Sequence, residues 1–375
     1  MLIIFITGSI SVVNAQEKRA RDYGIKPGVF STGKNNAITD VEGVTVGHCT
    51  LIVGDSIRTG VTAILPHGGN IFRNKVPAAI YAGNGFGKLA GYTQVKELGN
   101  IETPIILTNT LSVAAAIEAL IRYTIAQPGN ERIASVNSVV GETNDGTLND
   151  IRGMHVKPDH VLKAIKSASS GPVEEGNVGA GTGTICFNYK GGIGTSSRVL
   201  PKSLGGYTIG VLVQTNFGGN FQADGVNIGE ILGNYPFKSK IDGDGSCMVV
   251  VITDAPLDAR NLERVAKRAF LGLGRTGGIA SNGSGDYIIA LSVAKKNIIS
   301  SDDKSALYVS ETVKNDDMSP IFMATIEATE EAILNSLFAA KSMKGFEESQ
   351  VEALPESAKL IIRDALKDRE ISNRK

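Results

Sequence analysis

An α/β fold is what this chain of 375 residues predicts, and three observations predict it. Apolar runs of strand length, bounded by Gly, Asn, Asp or Pro, recur from residue 44 to residue 293. Stretches with helical apolar spacing lie between and behind them. Glycine stands at 44 of the 375 positions, above the usual level of about 7%. It has no collagen-like period, so it reads as serving turns and close backbone approaches. Strands interleaved with helices specify the class. The crossovers are irregular, so the pattern alone names no topology.

In chain order, strands are expected at 44–53, 60–66, 78–82 and 104–108, then at 183–187, 207–217, 247–253 and 287–293. A helix is expected over 112–126, where Ser112 suits an N-cap. Another is expected over 257–273, where Leu262, Val265, Ala266 and Phe270 share one stripe. Two late helices follow at about 324–343 and 356–368, and no internal repeat is evident. Residues 218–245, rich in Gly, Asn, Asp and Lys and ending Ile241-Asp242-Gly243-Asp244-Gly245, read as an exposed loop. Directly behind them SCMVVVIT, from Ser246 to Thr253, reads as a buried strand. A serine therefore opens a buried strand immediately after a glycine.

Charge and rare residues exclude several functions. Lys plus Arg and Asp plus Glu each number 38, so the basic footprint of a nucleic-acid binder is missing. Cys49, Cys186 and Cys247 are an odd set, widely spaced, and indicate neither a disulfide framework nor a zinc site. His48, His67, His155 and His160 form no HExxH, and His155 and His160 flank a Lys157-Pro158 step that reads as a turn. The first fifteen residues are apolar and small, end Val13-Asn14-Ala15, and are followed at once by charge. They resemble a secretory signal without its basic n-region, which predicts a periplasmic or secreted protein; a buried first strand is the other way to read them. No later run reaches the length of a membrane span.

Glycine motifs that suggest nucleotides fail on context. Gly272-Leu-Gly274-Arg-Thr-Gly277 ends a helix instead of joining a strand to one. Gly83-Asn-Gly85-Phe-Gly87-Lys88 has Ala82 and Leu89 where a phosphate loop needs Gly and Ser or Thr. No GxSxG elbow is present. The Gly245-Ser246 step offers other chemistry. If the backbone is strained there, the Ser246 hydroxyl can attack the Gly245 carbonyl, and water can hydrolyse the resulting ester. Cleavage leaves Ser246 with a hydroxyl and a free α-amine of reference pKa about 7.7–8.0, which can serve as base for its own hydroxyl. On spacing alone, Gly-Ser before a strand is common.

Longer matches add to that reading. The segment 246–257 (SCMVVVITDAPL) resembles the β-chain start of the family of L-aminopeptidase/D-amidase-esterases (DmpA-like) and β-peptidyl aminopeptidases. The likeness continues at 38–48 (ITDVEGVTVGH), 59–66 (TGVTAILP), 102–113 (ETPIILTNTLSV) and 141–150 (GETNDGTLND). It extends to 179–184 (GAGTGT), 190–198 (KGGIGTSSR) and 281–287 (SNGSGDY), covering nearly the whole mature chain. The resemblance implies that Ser246 is the nucleophile and that Asn216 supplies its amide to the oxyanion hole. It implies that Ser284 hydrogen-bonds around the nucleophile and its amine, that Asp286 orients that network, and that Glu142 pairs with the substrate's own amino group. A buried carboxylate facing an ammonium accounts for exopeptidase specificity, because a blocked N-terminus leaves the charge unpaired. Taken alone, Asn216 before Gly-Gly, Glu142 in a polar segment, and Ser284 and Asp286 in Gly-Ser-Gly-Asp read as turn or surface residues.

The resemblance further implies a four-layer α/β/β/α sandwich of the N-terminal-nucleophile type, also seen in ornithine acetyltransferases. Residues 16–245 would form the α-chain and 246–375 the β-chain, folded together as one domain. It implies a homotetramer of αβ heterodimers, substrates that are short peptides, amides or esters with a free amino terminus, and no metal or organic cofactor. Two departures bear on substrate preference. Asn144 stands where some relatives are expected to carry tyrosine, and Lys88 stands where an acid is expected. Two rival functions remain: acetyl transfer of the ornithine acetyltransferase kind, against which Ser246 (rather than Thr) and the signal-like start both count, and a secreted binding protein on an inactive scaffold.

Overall fold

The computed structural model describes residues 18–236 and 245–372. The signal-like segment 1–15 and the loop residues 241–244 lie outside the described residues. Twelve strands build the two principal sheets. The first seven are Thr45–Val53 (β1), Ile57–Leu65 (β2), Asn74–Gly85 (β3), Leu89–Ala90 (β4), Asn100–Ile101 (β5), Ile105–Asn109 (β6) and Val139–Thr143 (β7). The others are Gly192–Val199 (β8), Thr208–Asn216 (β9), Ser246–Thr253 (β10), Gly285–Ser292 (β11) and Ile299–Ser300 (β12). The helices are Tyr92–Leu98 (α1), Val113–Ile125 (α2), Pro158–Ser167 (α3), Ile228–Ile231 (α4), Ala259–Arg275 (α5), Ser319–Phe338 (α6) and Glu356–Ser372 (α7). One sheet runs β1-β2-β6-β7-β4; the other runs β8-β9-β10-β11-β3-β12, with β5 also pairing β3.

Three apolar cores lie between four layers. Val61, Ala63, Ile106 and Val140 of the first sheet pack under Ala116 and Leu120 of α2 and Val161 and Ile165 of α3. Val46, Ile64, Leu107 and Val139 face Met248, Val250, Ile252 and Ile289 across the gap between the sheets. Cys247, Val249, Val251 and Ile288 pack against Leu262, Val265 and Ala269 of α5 and Ala328 and Leu337 of α6. Strand β10 thus feeds two cores with alternate residues, which is why its sequence is apolar without interruption. Each such side chain adds roughly 1.5–3 kcal/mol to stability when fully buried. The α/β/β/α order implied by the resemblance is the one observed.

Local chemistry explains where the elements depart from expectation. Ser112 does not cap α2: Thr110–Ser112 forms a 3-10 turn, and the Ser112 hydroxyl makes no cap bond. The Lys157-Pro158 step opens α3, with Pro158 in its first turn and His160 Nδ1 accepting from the Lys157 N–H at 3.0 Å. Helix α5 is capped by Asp258, whose side chain accepts from the Asn261 N–H. Residues 218–236 are not a simple loop: they hold a short hairpin and α4, and Phe221, Ala223 and Ile228 are buried. Strand β8, GIGTSSRV, escaped the apolar pattern because Ile193 is its one fully buried large apolar residue and its other buried side chains are polar and bonded. Ser196 Oγ donates to the Ala328 carbonyl of α6 at 2.6 Å. Arg198, fully buried, pairs with Glu327 at 3.2 Å and Glu331 at 2.8 Å, and Arg21 of the N-terminal segment binds Glu331 at 2.7 Å.

Candidate active site

Ser246 is the first residue of β10, in the middle of the second sheet. It is paired with Asn216 of β9 on one side and Gly285 of β11 on the other. Its side chain shares a pleat with Met248 and Val250, so it faces the other sheet. There it lines a cleft of about 440 Å³ together with Asn216, Glu142, Asn144, Lys88 and Thr110. Three segments far apart in sequence meet here because β6 and β7 of the first sheet end opposite the start of β10.

Each wall residue is oriented by backbone. Asn216, which lines the cleft, has its amide fixed by its Oδ1, which accepts from the Ile185 N–H at 3.0 Å and leaves the NH2 end with two donors to offer. Glu142 lies on β7, in register with Thr108 of β6, and is 4% exposed. Its Oε1 accepts from the Lys88 N–H at 2.9 Å, and its Oε2 accepts from the Thr110 hydroxyl. Among the described residues no Lys, Arg or His forms an ion pair with it. Asn144 is an exposed lining residue whose Oδ1 accepts from the Gly146 N–H at 2.8 Å, so it also closes its own turn.

Ser284 and Asp286 do not line the cleft. Asp286 is in register with Cys247, and its charge is among the causes, after burial, that push the Cys247 thiol up. The pair therefore sits on the opposite face of the sheet from the Ser246 hydroxyl. Ser284 Oγ donates to Asp286 Oδ1 at 2.9 Å, while Asp286 Oδ2 is buried with no hydrogen-bond partner among the described residues. Burial raises the Asp286 pKa to about 6 despite the Ser284 bond, which acts the other way. The ladder between β11 and β3 shifts register beside Asp286, and Asn84 Nδ2 donates to the Ser281 carbonyl at 2.9 Å and also bonds the Ser284 carbonyl, pinning the turn.

The bond between Gly245 and Ser246 is held just as closely. The Gly285 N–H donates to the Gly245 carbonyl at 3.1 Å. Space is what demands glycine at Gly245: a Cβ there would come within 2.3 Å of the Asn216 carbonyl oxygen. The same holds at Gly285, whose Cβ would come within 2.4 Å of the Phe86 carbonyl oxygen. Of the residues expected from sequence, Ser246, Gly245, Asn216, Glu142 and Asn144 meet in one cleft, and Ser284 with Asp286 stands behind it. Thr110 and the backbone of Lys88 and Gly285 were not foreseen. Thr110 follows the strand that ends at Asn109, a position from which a side chain can reach a facing site, but a backbone N–H leaves no mark in sequence.

Residues 36–351 match the model of peptidase family S58. The β-peptidyl aminopeptidase BapA of Sphingosinicella microcystinivorans is 43% identical over 367 residues, covering 91% of this chain and 91% of that protein. The solved structure of a Burkholderia sp. β-aminopeptidase superposes with a TM-score of 0.85 at 41% identity, covering 94% of this chain and 99% of that one. The L-aminopeptidase D-Ala-esterase/amidase of Ochrobactrum anthropi, described as a variant of the Ntn-hydrolase fold, gives 0.85 at 36% identity, covering 93% and 99%.

Proposed function

The chain belongs to peptidase family S58, and we propose that this serine aminopeptidase of the N-terminal-nucleophile type works through Ser246 after cleaving its own Gly245–Ser246 bond. The observation that carries the proposal is the convergence, in one cleft, of Ser246, Asn216 and the carboxylate of Glu142, which among the described residues has no cationic partner. In the self-cleavage step Ser246 Oγ bonds to the Gly245 carbonyl carbon as the C–N bond breaks, and water then hydrolyses the ester. The Gly285 N–H already on that carbonyl would steady the oxyanion. The products are a Gly245 carboxylate and a free Ser246 α-amine.

In turnover the amine takes the hydroxyl proton as Oγ attacks the substrate's first carbonyl, and returns it to the leaving amine. The Asn216 amide and the vacated Gly285 N–H would receive the oxyanion. Losing one such donor typically costs about 10²–10³ in rate. Glu142 would pair with the substrate ammonium, held in place by Thr110 and the Lys88 N–H. Water then releases the acyl group as a free amino acid. Ser284 and Asp286 would tune the α-amine from behind. Short peptides, amides and esters with free amino termini are the substrates of this reading. β-Aminoacyl groups are the first to test, because BapA is named for β-peptidyl substrates.

Intact-mass and gel analysis of the purified chain, with turnover of free and N-acetylated peptides, tests the proposal. Two pieces meeting at Gly245 and Ser246, and activity confined to free amino termini, are expected; Ser246→Ala should stay uncut and inactive. Efficient cleavage of that variant would overturn the mechanism. The same proposal extends to removal of residues 1–15 as a secretory signal, to α- and β-chains of 16–245 and 246–375 folded as one domain, and to a homotetramer of αβ units. N-terminal sequencing and light scattering check these in turn.

A further inference from the structure

Among the described residues, two charged side chains line the cleft, Glu142 and Lys88. They are joined through backbone, since the Lys88 N–H donates to Glu142 Oε1 at 2.9 Å, yet their charged ends form no ion pair with each other. Lys88 sits in the loop between β3 and β4, is exposed, and among the described residues its ammonium has no carboxylate partner. Lys96 and Lys296, by contrast, are paired on the surface, with Glu263 at 2.9 Å and Glu311 at 2.6 Å. Beside Lys88 in the same loop, Phe86 is 64% exposed and lines the same cleft.

A cleft that offers an unpaired anion and an unpaired cation fits a zwitterion. We propose that Lys88 is a specificity-determining residue that binds a carboxylate of the substrate, so that short peptides with a free C-terminal acid are preferred to their amides. The inference rests on the aminopeptidase reading, in which Glu142 takes the ammonium end. Two extended residues span at most about 7 Å, and the flexible four-carbon stem of lysine lets its ammonium adapt to a dipeptide or tripeptide. An acidic side chain next to the scissile bond is the other source of the same group.

The experiment measures kcat/KM for dipeptides of α-L, D and β-alanyl type as free acids and as C-terminal amides, and for matched amides bearing Asp or Glu. The free acid is expected to exceed its amide by about fivefold, the size of a moderately exposed ion pair. That ratio should fall to about one in Lys88→Gln and return in Lys88→Arg. In the wild-type chain it should shrink as salt is raised, because screening weakens an exposed pair. A ratio unaffected by both the substitution and salt overturns the proposal. A salt-sensitive preference confined to the Asp or Glu amides assigns Lys88 to side-chain acids and overturns the C-terminal reading. Failure of the wild type to turn over any acid or amide overturns the aminopeptidase reading instead.

Discussion

Two sets of buried carboxylates in this molecule are treated in opposite ways. Glu327 and Glu331 of α6 meet Arg198, and Glu331 also meets Arg21. Burial works against ionisation of Glu331, yet Arg21 and Arg198 hold its pKa below the usual carboxylate value. Glu142 and Asp286 are as deeply buried, but their partners are neutral: a backbone N–H and a threonine hydroxyl for one, a serine hydroxyl for the other. The first set is electrically closed and ties the N-terminal segment to α6. The second set keeps an unmatched charge at the cleft or a raised pKa behind it. A buried acid without a cation is costly unless something supplies one, and at Glu142 a substrate ammonium would do so.

Breaking the closed set should give the largest effect. Arg198→Ala leaves two carboxylates buried without their shared partner and is expected to cost about 3–5 kcal/mol of stability, read as a fall in denaturant midpoint, with the cleft chemistry unchanged in whatever remains folded. Glu142→Gln should do the reverse. Stability changes little because the amide oxygen can still accept from the Lys88 N–H while its NH2 donates to the Thr110 hydroxyl, which can accept. The kcat/KM for free-amine substrates falls about hundredfold, about 2.7 kcal/mol, while esters lacking the amine lose far less. A stability loss matching that of Arg198→Ala would erase the contrast between the sets.

The smallest effect is a change of slope. With Asp286 raised to about 6 by burial, kcat/KM should fall more steeply with acid below about pH 6 than α-amine protonation alone requires. Asp286→Asn should remove that second break. The sign for stability is opposite to that of a paired acid. The folded carboxyl stays neutral between about pH 4 and 6, where an unfolded one is charged. Relative to Asp286→Asn, the wild type therefore loses stability as pH rises through that window. A profile with one break in both proteins would show that Asp286 does not titrate with catalysis.

The architecture was legible wherever burial writes itself into apolar periodicity. The stretch from Cys247 to Thr253 declared a doubly buried strand, and Leu262, Val265 and Ala266 declared the core face of α5. Strand β8 did not, because Thr195, Ser196, Ser197 and Arg198 are buried and satisfied by hydrogen bonds and ion pairs that only the folded chain brings near. At the site, Ser246 was marked by its place between a glycine and a strand, and Glu142, Asn216, Ser284 and Asp286 came from likeness to a family. Spacing could not reveal that Ser284 and Asp286 stand behind the cleft, since that depends on the pleat of two adjacent strands. Nor could it show Lys88 contributing its backbone to Glu142.

The order of strands in the second sheet has a consequence for what a break after Gly245 would do. Strands β10 and β11 lie side by side, flanked by β9 and β3, so two strands that follow the break are wedged between two that precede it. Neither piece could slide out without unzipping a full ladder on each side. The nicked molecule would hold together as an interlocked pair. Once melted, it would have to find its other half by diffusion, so its recovery from heat would depend on dilution, as an uncut chain's would not.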